Sequence, residues 1–237
     1  MDIAGRTALV TGANRGFGRH LVEQLRIRGA TVYAAARNRD SVDVAGVTPI
    51  QLDVTDLESI AAAAETARGV SILINNAGSS TGSSLLTGPV DDIRLEMDTH
   101  YFGSRLVTRA FAGQLAEAEQ SAVLNILSAL SWISFPAIGA YCAAKSAEWS
   151  MTNALRQELH PQGTIVSGLH VGYMDTDMTI GVSAPKSDPA VVARIALDGI
   201  EAGEFEILAD EVSHSVRSGL AGGVAALYPS LERSPSR

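Results

Sequence analysis

Short apolar segments alternate with amphipathic segments along most of the chain. The apolar segments are largely continuous, rather than alternating with polar positions, as is typical of strands that are buried on both faces. Seven of them predict strands at 7–11, 31–36, 47–54, 71–76, 122–127, 164–171 and 205–209.

The segments between these strands show helical spacing of apolar residues. They predict helices at 16–28, 56–67, 91–118, 140–160 and 189–202. Strands that alternate with helices predict an α/β protein with a doubly wound parallel sheet, covered by helices on both faces. Ligands of such sheets bind beyond the carboxyl ends of the strands, near the point where the strand order reverses. Functional residues are therefore expected at those strand ends.

The pattern continues without a long linker, a charge run or an internal repeat, so a single domain is predicted for residues 1–237. Residues 172–189 are rich in Gly, Ser, Asp and Pro and predict a long loop. Loops of this length in compact domains are often lids over a site. The tail from about residue 228 is expected to be poorly ordered.

Composition narrows the class of function. The chain is 46% hydrophobic, which is enough for a substantial core, and its net charge is -8 without any block of Lys or Arg. Nucleic acid and anionic membrane are therefore not expected as partners. There is no run of roughly 18 apolar residues and no secretory signal pattern, so a cytoplasmic location is expected. The single cysteine, Cys142, agrees with a reducing compartment and permits no cysteine-rich metal site, and no metal is predicted. Chemistry on a small molecule becomes the leading class.

A glycine-rich loop follows the first predicted strand. In TGANRGFGRHLVEQL, Gly12, Gly16 and Gly18 lie around the start of a helix. Glycines allow a tight turn and let phosphate oxygens approach bare N–H groups at the positive end of the helix. Three of them in the first strand-to-helix turn of an alternating α/β chain predict a dinucleotide phosphate site.

The end of the second strand indicates which dinucleotide binds. An acidic residue there would hold the ribose 2'-hydroxyl of NAD, whereas the 2'-phosphate of NADP needs a cation. Here Ala36 takes the acidic position and Arg37 follows, while Arg15 in the glycine loop offers a second guanidinium. NADP is therefore predicted over NAD; the alternative is that both arginines are solvated surface charges.

Tyr141 and Lys145 provide the strongest chemical signal. They are four residues apart at the start of a predicted helix, so they share one face. A free tyrosine has a pKa near 10, and lowering it to about 7 requires roughly 4 kcal/mol of stabilisation of the phenolate. A neighbouring ammonium is a source of that stabilisation. Ser128, at the end of the fifth strand, is placed to hydrogen-bond a substrate oxygen.

These motifs together resemble the short-chain dehydrogenase/reductase family. The resemblance rests on TGANRGFG, on NNAG at 75–78, on Ser128 thirteen residues before Tyr141, and on YCAAK, and it extends from residue 6 to about 210. It implies a Rossmann-type sheet of about seven strands and NADP(H)-dependent hydride transfer to or from a carbonyl or alcohol. It also implies a homodimer or homotetramer assembled through the helices at 91–118 and 140–160.

The resemblance assigns roles to individual residues. Tyr141 would be the general acid/base, Ser128 would polarise the substrate oxygen, and Lys145 would bind the nicotinamide ribose. Asp53 would contact the adenine. The residues implied to bind the cofactor are Gly12, Asn14, Arg15, Gly16, Phe17, Gly18, Arg37, Asp53, Val54, Asn75, Ala77, Gly78, Tyr141, Lys145, Gly172 and Thr176. For NNAG, a tight turn that supports the sheet is the alternative.

Two positions depart from the family pattern. His100, in HYFG, replaces an asparagine whose main-chain carbonyl is thought in the family to hold a proton-relay water. The imidazole is itself capable of moving protons. It also lies on the helical stripe of Ile93, Met97, Val107 and Phe111, which predicts a buried core histidine as the alternative. Val171 replaces a proline that the family often has after the sixth strand.

The leading functional prediction is a carbonyl reductase or alcohol dehydrogenase that uses NADP(H). A second hypothesis is a nucleotide-sensing binding protein that kept the fold and lost catalysis. A third, an epimerase or dehydratase of the related longer scaffold, is disfavoured by the glycine spacing and the small C-terminal portion.

Overall fold

The computed structural model describes residues 1–231. Seven strands form one sheet: β1 Thr7–Thr11, β2 Thr31–Ala36, β3 Thr48–Gln51, β4 Ile72–Asn75, β5 Ser121–Ile126, β6 Thr164–His170 and β7 Glu206–Leu208. The strand order is β3-β2-β1-β4-β5-β6-β7, and every neighbouring pair is parallel. The predicted doubly wound α/β fold with seven parallel strands is confirmed.

Within residues 1–231, eight α-helices surround the sheet or follow it: α1 Gly16–Ile27, α2 Leu57–Thr66, α3 Val90–Met97, α4 Ser104–Glu117, α5 Gly139–Leu159, α6 Pro189–Ala202, α7 Glu211–Gly219 and α8 Gly223–Leu227. Between α3 and α4 the chain forms a π turn, Asp98–Gly103. The helices at 16–28, 56–67, 140–160 and 189–202 are found within two residues of their predicted ends.

Consecutive strand residues enter two separate cores, which explains why the strands are apolar throughout. In β1, Val10 packs in a cluster with residues of α1 and α6, while Leu9 packs in a second cluster with residues of α2 and α4. Side chains alternate between the faces of a sheet, so a strand that is covered on both sides needs apolar residues at every position.

The structure corrects two details of the sequence prediction. The helix predicted at 91–118 is divided by the π turn, and the strand predicted at 47–54 ends at Gln51. The tail was expected to be poorly ordered from about 228; at the start of that tail, the Ser134 N–H donates to Tyr228 Oη at 2.8 Å. The rest of the predicted tail, 232–237, lies outside the described residues.

Candidate active site

The glycine loop lies where the strand order reverses, between β1 and β4. Gly12 has a φ of +63°, and a Cβ at that position would lie 2.9 Å from Ala77 Cα. A Cβ on Gly18 would lie 2.1 Å from the carbonyl oxygen of Gly12. Side chains are therefore excluded from both positions, which leaves the N-terminus of α1 bare. This geometry fits a phosphate group approaching the backbone.

Hydrogen bonds fix this loop to the end of β4. Thr11 Oγ1 accepts the N–H groups of Asn76 and Ala77, each at 2.9 Å. Asn76 Nδ2 donates in return to the carbonyl oxygens of Thr11 at 2.9 Å and Gly12 at 3.1 Å. Asn76 was not singled out by the sequence analysis, although it belongs to the NNAG motif. Asn76 therefore joins the glycine loop after β1 to the loop after β4.

Several residues predicted to bind the cofactor have side chains that are buried in the protein interior. Asn75 Nδ2 donates to Thr108 Oγ1 at 2.9 Å and to Asn125 Oδ1 at 2.8 Å, which joins β4 to α4 and β5. Phe17 and Val54 are buried in the two cores. Phe17 and Val54 are 6% and 8% exposed, so only a small part of either side chain is available to a ligand.

The start of the predicted lid faces the glycine loop. Thr176 Cβ lies 3.7 Å from the point where a Cβ of Gly16 would be. Arg15 Nη1 and Asp177 Oδ2 are 3.3 Å apart, and both side chains are exposed. The N–H of Gly172, another residue predicted to bind the cofactor, donates to Asp210 Oδ2 at 2.7 Å.

The residues expected near the adenosine half lie at the ends of β2 and β3. Ala36 is buried at the last position of β2, and Arg37 follows it as an exposed side chain. Asp53 Oδ1 accepts from the Thr55 N–H at 2.9 Å and from Thr55 Oγ1 at 2.7 Å, so its carboxylate is held in place. Asn14 is partly buried in the glycine loop.

Ser128 lies two residues beyond the end of β5. Its hydroxyl accepts the N–H of Leu130 at 3.1 Å, which caps a short 3-10 turn, and it donates to the Val171 carbonyl over 3.4 Å. Ser146 Oγ on α5 donates to the carbonyl of Ser131 at 2.9 Å and joins this turn to the helix.

Tyr141 and Lys145 are one turn apart on α5, and Lys145 Nζ lies 5.9 Å from the centre of the Tyr141 ring. Lys145 Nζ donates to the carbonyl of Ile126, the last residue of β5, at 2.6 Å, and to Glu148 Oε2 at 2.7 Å. The ammonium is thereby held at the end of the strand that Ser128 follows. The shared face predicted for the tyrosine and the lysine is observed.

His100 is buried in the π turn and faces the same site. Its ring packs edge-to-face against Tyr141, with ring centres 5.3 Å apart. Nε2 lies 2.9 Å from the Ser79 carbonyl and 3.3 Å from Glu96 Oε2. Gly78 leaves the necessary space, since a Cβ there would lie 2.8 Å from His100 Cε1. Single π turns in helices are frequent at functional sites.

A family model described as short chain dehydrogenase matches residues 6–187. The chain belongs to the short-chain dehydrogenase family. An uncharacterized oxidoreductase from Myxococcus xanthus (strain DK1622) is 31% identical over 191 residues, which span 75% of this chain and 76% of the relative. An NADPH-dependent 1-acyldihydroxyacetone phosphate reductase from Schizosaccharomyces pombe is 31% identical over 182 residues, 73% of this chain and 61% of the relative.

Solved structures agree with this membership. A short chain dehydrogenase from Burkholderia cenocepacia J2315 in complex with NADP is 34% identical, has a TM-score of 0.93, and covers 99% of this chain and 100% of its own. A short chain dehydrogenase/reductase from Burkholderia phymatum in complex with NAD is 23% identical with a TM-score of 0.84, over 100% and 98% of the two chains. The second likeness shows the fold alone. The predicted family is confirmed, and with it membership of a family of oxidoreductases.

At the site of this short-chain dehydrogenase, the pKa of Tyr141 is shifted in the direction opposite to the lowering expected from the sequence. Burial raises the pKa of the Tyr141 phenol; the Lys145 ammonium acts in the opposite direction and does not outweigh it. The carboxylates of Glu148 and Glu96 raise the pKa of Tyr141 further. Burial also lowers the pKa of Lys145, but the Glu148 carboxylate, with smaller contributions from Tyr141 and Glu96, raises it above its usual value.

Glu96 and Glu148 are functional candidates that sequence reasoning missed. Both are almost completely buried. The sequence signal that could have identified them is their spacing from other candidate residues. Glu96 precedes His100 by four residues, and Glu148 follows Lys145 by three. On a helix such pairs are usually solvated, so the spacing alone does not identify a buried cluster.

Two further findings concern the classes of partner considered above. None of the helices in residues 1–231 combines the length and apolar character needed to cross a membrane. Within the same residues, no group of three or more His, Cys, Asp or Glu side chains is arranged to hold a metal ion. The cytoplasmic location and the homodimer or homotetramer stay predictions.

Proposed function

We propose that this chain is an NADP(H)-dependent oxidoreductase that transfers a hydride between the nicotinamide and a carbonyl or secondary alcohol, with Tyr141 as the general acid/base. The observation that carries the proposal is that Tyr141 and Lys145 lie one turn apart on α5, with the Lys145 ammonium at the end of the strand that Ser128 follows. Lys145 Nζ is bound to the carbonyl at the end of β5, two residues before Ser128, and its helix also carries Tyr141.

The glycine loop and the end of β2 support NADP as the cofactor. Gly12 and Gly18 leave the backbone bare where the phosphates would bind. Arg37 is exposed at the end of β2, and Arg15 forms an exposed ion pair with Asp177, which is weak enough to exchange for a 2'-phosphate. The bound cofactor would supply or accept the hydride. The NADP complex of the Burkholderia cenocepacia relative and the name of the fission yeast relative, an NADPH-dependent reductase, support this choice.

Tyr141, Lys145 and Ser128 each have a separate role in the proton transfer. In carbonyl reduction Tyr141 donates its phenolic proton to the substrate oxygen, and the Lys145 ammonium stabilises the phenolate that remains. Ser128 donates a hydrogen bond to the same oxygen. Its present bond to the Val171 carbonyl is 3.4 Å long, so exchanging it for a substrate oxygen costs little. In alcohol oxidation the phenolate accepts the proton.

The Tyr141→Phe variant tests the assignment. Turnover is expected to fall by a factor of about 100 to 10,000, because the acid/base group is removed. NADPH binding, measured by titration calorimetry, is expected to stay within about twofold, since the ring remains. Tyr33→Phe, a partly buried tyrosine on β2, serves as the control and is expected to keep full activity. A fully active Tyr141→Phe protein would contradict the assignment.

The alternative, a binding protein without catalysis, gives a different result in the same assay. NADPH oxidation is measured with a panel of ketones, aldehydes and a 3-oxoacyl thioester, because relatives from two Vibrio species are named 3-oxoacyl-[acyl-carrier-protein] reductases. Tight NADPH binding with no oxidation across the panel would favour the binding protein. The complete set of Ser128, Tyr141 and Lys145 argues for the enzyme.

A further inference from the structure

The imidazole of His170 lies beside the main chain of Ser128. His170 is the last residue of β6 and is 0% exposed, and its Nδ1 lies 3.2 Å from the carbonyl oxygen of Ser128. A carbonyl oxygen only accepts hydrogen bonds, so Nδ1 must carry the proton in this contact. Nε2 has no hydrogen-bond partner among the described residues. The bond to Ser128 is therefore the polar contact that distinguishes His170 from an apolar side chain.

The imidazole is uncharged in this position. Burial lowers the pKa of His170 to about 4, so the ring carries a single proton at about pH 7. The contact with the carbonyl assigns that proton to Nδ1. Because the side chain has no exposed surface, any effect that it has on the reaction must pass through a neighbouring residue.

The backbone fixes the chain on either side of Ser128 to the end of β6. The N–H of Leu127 donates to the Leu169 carbonyl at 2.8 Å, and the N–H of Ala129 donates to the Val171 carbonyl at 3.0 Å. Neither bond uses the N–H or the carbonyl of Ser128. The orientation of these two groups therefore depends on other contacts.

The remaining contacts of the Ser128 main chain lie within its own turn. Its carbonyl also accepts the Ser131 N–H at 2.9 Å, and its N–H donates to Ser131 Oγ at 3.2 Å. Both bonds move with the 3-10 turn and do not fix it relative to the sheet. His170 lies on β6, which is paired on both sides by β5 and β7. Its bond therefore joins the Ser128 carbonyl to the sheet.

Trp132 restricts the orientation of the imidazole ring. The two rings stack with their centres 3.7 Å apart and their planes 15° apart. Trp132 also meets Trp149 of α5 edge-to-face, with ring centres 6.3 Å apart, and the Arg217 guanidinium of α7 lies 5.6 Å from its ring centre. Glu206 of β7 accepts from Trp149 Nε1 and from Arg217 Nε, each at 3.2 Å. Residues of α5, α7 and β7 thus support the ring on which His170 stacks.

We propose that His170 is a positioning residue for Ser128. Its Nδ1–H, oriented by the stacked Trp132 ring, fixes the Ser128 carbonyl and with it the direction in which the Ser128 hydroxyl meets the substrate oxygen. The inference rests on the proposed function, because it takes Ser128 as a donor to that oxygen. A displacement of about 1 Å in a positioned group can lower a rate about 100-fold, so a small rotation of this peptide unit is enough to affect turnover.

The variants His170→Leu and His170→Asn test this inference as a matched pair. The two new side chains have nearly the same shape and both lose the stacking on Trp132, but only asparagine keeps an N–H donor near the place of Nδ1. With the best carbonyl substrate of the panel above, kcat is expected to fall about tenfold in His170→Leu and to stay within about threefold of the unchanged chain in His170→Asn. The Kd of NADPH is expected to differ by less than about twofold between the two variants. His160→Leu, which replaces an exposed histidine after α5, is the control and is expected to keep full activity.

The same replacement in a Ser128→Ala background separates positioning from a general structural role. Removing the Ser128 hydroxyl alone is expected to lower kcat about 100-fold, a usual loss for one donor to a developing oxyanion. Adding His170→Leu to Ser128→Ala is then expected to lower kcat by less than about twofold, because the hydroxyl that His170 positions is already absent. A general structural role would give the same loss in both backgrounds.

Equal kcat values for His170→Leu and His170→Asn would overturn the inference, and so would equal losses in the two backgrounds. An unchanged kcat in Ser128→Ala would contradict the proposed role of Ser128 and the inference with it, whereas a reduced kcat with equal losses contradicts the inference alone. Nitrogen-15 NMR of the unchanged chain covers the case in which His170→Leu does not fold. The His170 signals, identified by their absence from His170→Asn, are expected to show a protonated Nδ1 and an unprotonated Nε2. The opposite tautomer would leave the Ser128 carbonyl without this bond and would overturn the inference.

Discussion

Replacing Gly18 with alanine is expected to weaken cofactor binding, because the added methyl group would occupy space that the backbone already fills. The Cβ would lie 2.1 Å from the carbonyl oxygen of Gly12 and 2.5 Å from Asn76 Nδ2. Asn76 also holds that carbonyl in a hydrogen bond. Neither neighbour is the free end of a flexible side chain, so the loop itself must move.

The size of the effect follows from these distances. Restoring ordinary contact requires a displacement of roughly 1 Å or more. A shift of this size lengthens the hydrogen bonds that the loop offers to a phosphate beyond the useful range. Losing one charge-assisted bond costs about 1.5–3 kcal/mol, which corresponds to an increase of about 10- to 100-fold in the Kd of NADPH. Overpacking should also lower the free energy of unfolding by about 1–3 kcal/mol.

Titration calorimetry with NADPH and urea unfolding measure the two quantities. Gly113→Ala is the matched control, because Gly113 lies inside α4 and a Cβ there would meet nothing within 4 Å. That variant is expected to bind NADPH normally and to gain about 0.5–1 kcal/mol of stability from helix propensity. A Gly18→Ala protein with unchanged Kd and stability would refute the assignment of this loop as the cofactor cradle.

Two further predictions concern acid stability and cofactor choice. Burial lowers the pKa of His170 to about 4, so its contribution to stability is present above the unfolded pKa of about 6.5 and is lost as the pH falls towards 4. In urea unfolding, the stability advantage of the unchanged chain over His170→Gln should therefore shrink by about 2 kcal/mol between about pH 7 and pH 5; a constant difference would contradict it. Arg37→Ala should weaken NADPH about tenfold and leave NADH unchanged in binding titrations, because only NADPH carries the 2'-phosphate. Arg68→Ala, an exposed arginine outside the site, is the control, and equal losses for both cofactors would exclude Arg37 from 2'-phosphate recognition.

The sequence alone determined the fold class and the positions of the main motifs. A strand covered on both faces is largely apolar, so the sequence predicts β1, β4 and β5 directly as mainly apolar runs. Helical spacing likewise determined that Tyr141 and Lys145 share a face, because residues four apart on a helix are neighbours. Both features depend on residues that are close together in the chain.

Tertiary structure alone decided which charges are buried and which polar groups are already paired. Asn76 clamps the glycine loop from a position 65 residues further along the chain, and Asp210 takes the N–H of Gly172 across 38 residues. From the sequence alone, Glu96 and Glu148 resemble ordinary solvated charges. In the folded protein they are buried, because α3, the π turn and α5 pack together around Tyr141. Burial and long-range pairing depend on which elements meet in space, and it is these contacts that reverse the expected direction of the Tyr141 pKa shift.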